Sequence, residues 1–256
     1  NTLDSIRSIR KNNFEYQAET PRQGLKLKIF DSLETAIITI KTFDKKTLKR
    51  GYKQRFKKEI STYFKTIQRD SVSNLIIDLR NNNGGNPDYV KFILKHLFDE
   101  PFEQAKEARI VKDKTQEDFY LRTKKRWYPW YGIGTFKPKK NNYKGKIYVL
   151  INGGTFSAAV ELAGILQKYD RATFIGSETG GNPVIMAGYL IKTRWKLPNT
   201  KIQTLPGALC TVFEDLDLNK GRGVLPDYEI KRRPEDLDLK RDKQLNFTLD
   251  LIKRRQ

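Results

Sequence analysis

Along this chain the apolar positions change their period several times, and each change marks an element. Leu25, Leu27 and Ile29 alternate with lysines, as a half-buried strand does, and the β-branched run at 35–43 (TAIITIKTF) reads as a second strand. From Tyr52 the spacing becomes three and four. Tyr52, Phe56, Ile60, Tyr63, Phe64 and Ile67 form one apolar stripe on a long basic helix. Residues 75–79 are almost continuously apolar, the pattern of a strand covered on both faces. They run into a polar turn at 81–87. The next helix is predicted with Asn86 as cap, Pro87 at its first position, and Val90, Ile93, Leu94 and Leu97 facing inward.

A second unit of the same design follows: a strand at 146–151, a turn at 152–155, and a helix from about 157 to 169. A third buried strand at 172–175 leads to Gly180-Gly181-Asn182-Pro183. Segments 189–197 and 201–205 flank Pro198-Asn199 as a hairpin would, and a last helix covers about 244–253. Strands feeding helices through short glycine turns imply an α/β fold with a mainly parallel, helix-covered sheet. Residues 1–22 read as a polar lead-in, the remnant of an upstream domain, and 23–256 as one core domain.

Composition narrows the chemistry. The chain has 256 residues, 38% of them hydrophobic, which excludes global disorder. No apolar run reaches the length of a membrane span, and no signal-peptide pattern opens the chain. It begins at Asn1 rather than Met, as a mature or trimmed piece would. With one Cys (Cys210) and one His (His96), neither an internal disulfide nor a Cys/His zinc site is available, and no metal or cofactor is expected. Fifty Lys and Arg against thirty Asp and Glu give a net charge of +20, which favours acidic partners. The charge is spread along the chain rather than gathered in one motif, so nucleic acid is not the expected partner. The cluster Lys124, Lys125, Arg126, Trp127, Tyr128, Trp130 and Tyr131 reads as a lid or hairpin over the cleft, or as a stacking surface for nucleic acid or glycan. Cys210 is expected to pack as a small hydrophobe.

Tight turns between a buried strand and a helix leave N–H groups unpaired at a positive dipole end, where they attract phosphate or a developing oxyanion. Neither turn carries the Gly-Lys-Ser/Thr closure of a phosphate-binding loop. The second presents Ser157 at the helix start, where a serine is either a cap or a nucleophile. Four blocks in order then carry a resemblance. Residues 74–85 (NLIIDLRNNNGG), 149–159 (VLINGGTFSAA), 171–181 (RATFIGSETGG) and 223–227 (GVLPD) are similar to the tail-specific, or C-terminal processing, serine peptidases. The resemblance implies a spiral of ββα units of the crotonase and Clp-protease kind and protein or peptide substrates. It also implies Ser157 as nucleophile, with the amides of Ala158 and of the Gly84-Gly85 turn as oxyanion donors, and an exported, periplasmic or envelope location.

The departures point to the tricorn-core and retinoid-binding-protein-like branch. Asn182 stands where the serine–lysine branch has its base, and Lys220 where a glutamate often precedes the Gly-x-Gly-Val block. His96 lies outside every family block and reads as a structural or surface histidine. The implied base therefore belongs to an upstream segment, or else the chain is a degenerate relative that binds peptides without cutting them. Glu178 is a candidate to orient a base or hold a substrate amine, unless it is simply a solvated turn carboxylate. Asp78 and Arg80 read as a structural pair, and Asp227 as a turn-former.

Overall fold

The computed structural model describes residues 23–110, 133–188, 195–204, 209–213, 221–231 and 242–255. The lead-in at 1–22, the Lys124–Tyr131 cluster and Lys220 lie outside the described residues. The elements, in chain order, are β1 (Leu25–Phe30), β2 (Thr35–Ile40), α1 (Phe56–Arg69), β3 (Asn74–Asp78), α2 (Pro87–Leu97), β4 (Phe102–Glu103), β5 (Glu107–Ile110), β6 (Thr135–Phe136) and β7 (Lys146–Ile151). They continue with α3 (Ala158–Lys168), β8 (Thr173–Gly176), β9 (Ile185–Gly188), β10 (Trp195–Lys196), β11 (Gln203–Thr204), β12 (Leu209–Val212), β13 (Tyr228–Glu229) and α4 (Lys243–Lys253).

One six-stranded sheet, in the order β1-β2-β3-β7-β8-β13, organises the molecule. Only β1 and β2 pair antiparallel; every other neighbour in this sheet is parallel. The mainly parallel α/β sheet read from the sequence is therefore the observed one. Its central strands are covered on both faces. Leu75 and Ile77 of β3, with Ile147, Val149 and Ile151 of β7, pack into a large core with α1, α2 and α3. Ile76, Tyr148 and Leu150 turn to the other face, where Ile252 of α4 completes a smaller core. A separate antiparallel sheet, β5-β12-β9, flanks the main one, and β10 pairs with β11 about the Pro198-Asn199 turn.

Among the described residues, two boundaries differ from the sequence reading by three residues or more, and several others by one or two. The apolar stripe becomes helical at Phe56, not Tyr52, because Lys53 takes a left-handed φ of 54°. Gln54 then turns its amide onto the backbone of Gly24 and Leu25, bracing β1. The run at 35–43 ends as a strand at Ile40, yet Phe43 makes one further parallel bridge, to Gly85. Arg80 ties α4 beneath the sheet. Its guanidinium donates to both carboxylate oxygens of Asp78 and both of Asp242, and to Gln244 Oε1. Asp78 and Arg80 are thus a structural pair, with Asp242 as the third member.

Candidate active site

The loops following β3, β7 and β8 all emerge at the C-terminal ends of parallel strands, where open α/β sheets collect their chemistry. Local sequence sets up each loop. After β3, Asn81 adopts a left-handed φ of 59°, and Asn82, fully buried, holds the bend from inside. The Asn82 amide donates to Ile40 O, its Oδ1 accepts from Gly84 N, and its own carbonyl accepts from Phe156 N. After β7, Asn152 Oδ1 accepts from the amides of Asn81 and Gly154, while Asn152 Nδ2 donates to Asn81 Oδ1. The buried Thr155 hydroxyl donates to Leu79 O and accepts from Asn152 N. The two bends are stitched to each other.

Ser157 stands at the junction. It precedes the first residue of α3 with φ 51° and ψ −127°, a strained backbone for any residue but glycine. Its side chain makes no capping hydrogen bond, so the reading of Ser157 as a helix cap is not what the structure holds. Gly84, at φ +91°, lies against it. A Cβ there would sit 2.6 Å from Ser157 Cβ, 2.7 Å from Ala158 N and 2.8 Å from Phe156 O. On the other flank, a Cβ at Gly85 would fall 2.2 Å from the Phe43 carbonyl carbon. The glycine pair is thereby wedged between β2's extension and the serine.

The amides can be sorted. Among the described residues, the N–H groups of Ala158 and Gly85 have no hydrogen-bond partner. The Gly84 N–H does: it donates to Asn82 Oδ1 at 2.8 Å. Of the two glycines expected to supply an oxyanion donor, the free amide is therefore that of Gly85, because the Asx turn of Asn82 occupies the other.

The third loop closes the site. A Cβ at Gly181 would lie 3.4 Å from Ser157 N, so this loop borders the serine directly. Thr179 accepts from Val224 N and donates to Gly181 O, stapling the loop to the Gly223-Val224 segment. Glu178 grips the same segment. It takes two hydrogen bonds from Arg222 and one from Gly223 N, and the Arg222 guanidinium holds its carboxyl down at about 2. Glu178 is thus a paired rather than a free carboxylate, and among the described residues its partners are Arg222 and Gly223. Asn182 uses its Oδ1 to accept from Val184 N and Ile185 N. Among the described residues, Ser157 Oγ has no hydrogen-bond partner.

His96 is remote from these loops in its contacts. It is buried, stacked on Phe64 at 4.3 Å and edge-on to Phe92, and burial first, then the charge of Lys139, lowers its pKa to about 4. It is a core residue rather than a surface one. Asp227 accepts from Phe174 N and so holds the start of β8. The residues missed by sequence reasoning are Asn82, Asn152, Thr155 and Thr179. Their polarity inside turns carried the only signal, and their partners lie up to 76 positions away.

An uncapped serine on strained backbone at a helix start, packed against a glycine bend and followed by an unpaired amide, is an arrangement that can supply a nucleophile and oxyanion donors. Residues 34–230 match the model of Peptidase family S41, and the chain belongs to that family. It is 27% identical over 203 residues to a carboxyl-terminal-processing protease of Synechocystis, covering 76% of this chain and 40% of that protein. It is also 27% identical over 173 residues to a CtpA-like serine protease of Staphylococcus haemolyticus, covering 67% of this chain and 30% of that protein. The fold matches that of mature CPAF in complex with lactacystin, with a TM-score of 0.60 at 19% identity, over 86% of this chain and 51% of that one. The chain thus spans less than half the length of the curated relatives it matches.

Proposed function

We propose that this chain is the core of a serine-type endopeptidase that cuts peptide bonds of protein substrates through an acyl-enzyme on Ser157. The observation that carries the reading is a hydroxyl without a partner among the described residues, on strained backbone, followed by the unpaired Ala158 amide and packed against the bend that holds the unpaired Gly85 amide. Ser157 Oγ attacks the scissile carbonyl carbon, and the oxygen, now negative, accepts from those two amides. Each such donor is worth about 3 kcal/mol at the transition state. Collapse breaks the C–N bond, a general base passes the serine proton to the leaving amine, and water then releases the acyl group. A positioned base contributes ~10²–10⁴ in rate.

The base lies outside the described residues, on a segment upstream in the full protein. The free Oγ and the turn-bound Asn182 side chain support this. The same observations favour one second reading, a degenerate relative that keeps the cleft and binds peptides without hydrolysis. In the leading reading the units form a crotonase-like spiral and the protein works outside the cytoplasm, in the periplasm or envelope. Among the described residues, no helix is long and apolar enough to cross a membrane.

Covalent labelling of the full-length protein with a fluorophosphonate, followed by peptide mapping, tests the reading. The label should sit on Ser157 and vanish in Ser157→Ala. Labelling that survives the substitution removes Ser157 from its role, and absence of labelling in the parent favours the binder.

A further inference from the structure

Phe156, immediately before Ser157, is 50% exposed although it is a large apolar side chain beside the site. Its position is not slack. The Phe156 N–H donates to Asn82 O at 2.9 Å and its carbonyl accepts from Ala159 N at 3.1 Å, so the backbone on both sides is held. The ring edge rests on the third loop. A Cβ at Gly180 would lie 3.4 Å from Phe156 Cδ2 and one at Gly181 3.5 Å from it. Gly180 is itself pressed on Gly153 O, where a Cβ would come within 2.2 Å. The ring therefore leans on a floor of two glycines that cannot rise to cover it, and the remaining surface faces solvent next to Ser157.

We infer that the Phe156 ring is the apolar wall that receives a substrate side chain flanking the scissile bond, so that it sets a preference for peptides with branched aliphatic or aromatic residues there. The inference rests on Ser157 marking the peptide site, as proposed above. An exposed ring held on rigid backbone, with one side backed by glycine, gains by being covered when an apolar side chain arrives. A polar side chain of the same size gains nothing from that contact and loses its own water. Pockets of this kind discriminate by roughly 10–200-fold.

The test is a binding comparison in the Ser157→Ala protein, where no turnover interferes. Two fluorescein-labelled Gly-Ser octapeptides are titrated by anisotropy, one with a central Leu-Leu pair and one with the near-isosteric Asn-Asn pair. The Leu peptide should bind about tenfold more tightly. Phe156→Ala should abolish that ratio and Phe156→Leu should restore most of it, with thermal midpoints unchanged within a few degrees. A ratio unaffected by Phe156→Ala, or no measurable binding of either peptide, overturns the inference. The fluorophosphonate result separates the two proposals. A Phe156-dependent ratio without labelling of the parent leaves a peptide binder with this wall, whereas labelling with an unchanged ratio leaves a peptidase without it.

Discussion

Gly84→Ala is the most direct probe of the interlocked bends. The added methyl would stand 2.6 Å from Ser157 Cβ, 2.7 Å from Ala158 N and 2.8 Å from Phe156 O. Ordinary carbon contacts begin at roughly 3.5 Å. The serine segment must therefore retreat by about 0.9 Å, and two of the three obstacles are backbone atoms that cannot rotate away. Holding alanine at φ +91° adds about 1–2 kcal/mol, and overpacking adds ~1–3 kcal/mol. At a few degrees per kcal/mol for a chain of this size, the melting temperature should fall by roughly 5–15 °C. A displacement near 1 Å at the reacting atom is worth ~10² in rate. The assay is the fluorophosphonate labelling rate of the folded protein, read with a thermal melt. Gly153→Ala is the control, because a Cβ at Gly153 meets nothing within 4 Å. Should Gly84→Ala label within threefold of the parent, the packing of the glycine bend on Ser157 is not what positions the hydroxyl.

Two further outcomes follow from buried charge. Burial pushes the Glu161 carboxyl up to about 8 despite the opposing hydrogen bond from Gln104 Nε2, so the fold prefers its protonated form. Its contribution to stability is complete below the ordinary value of 4.5 and drains away as pH rises towards about 8. Glu161→Gln should flatten that slope, as urea midpoints at pH 5 and pH 8 would reveal; an unchanged slope would refute the assignment. Arg80→Ala should remove about 3 kcal/mol, since it strands Asp78, whose side chain is only 6% exposed. Hydrogen exchange should then show α4 opening first, because the Asp242 end of that helix loses its anchor.

The elements were legible because their signals are local. Continuous apolar runs gave β3 and β7, and Asn86-Pro87 announced the start of α2, where Asn86 Oδ1 does accept from Asp88 N. The glycine bends were also readable, and Ser157 stood out by its place at a helix start and by the family resemblance, not by any fit to its backbone. What escaped was the stitching. Asn81 with Asn152 spans 71 positions and Thr155 with Leu79 spans 76, and no periodicity encodes a polar pair at that distance. The same limit explains Gly84 and Gly85. Both look equivalent as letters, and only the placement of Asn82 Oδ1 decides which amide is left free. For Glu178, the distant Arg222 makes it a clasp between two loops rather than a lone carboxylate.

Ser157 carries one more implication. Glycine would relax the twisted backbone at this position, and the relief is on the order of 1–3 kcal/mol. Directed evolution for heat tolerance alone should therefore drift towards glycine at 157 and erase the hydroxyl while improving the melting curve. Selection for turnover would push back. Under the proposed function these two pressures oppose each other at one side chain, and residue 157 of this chain is serine.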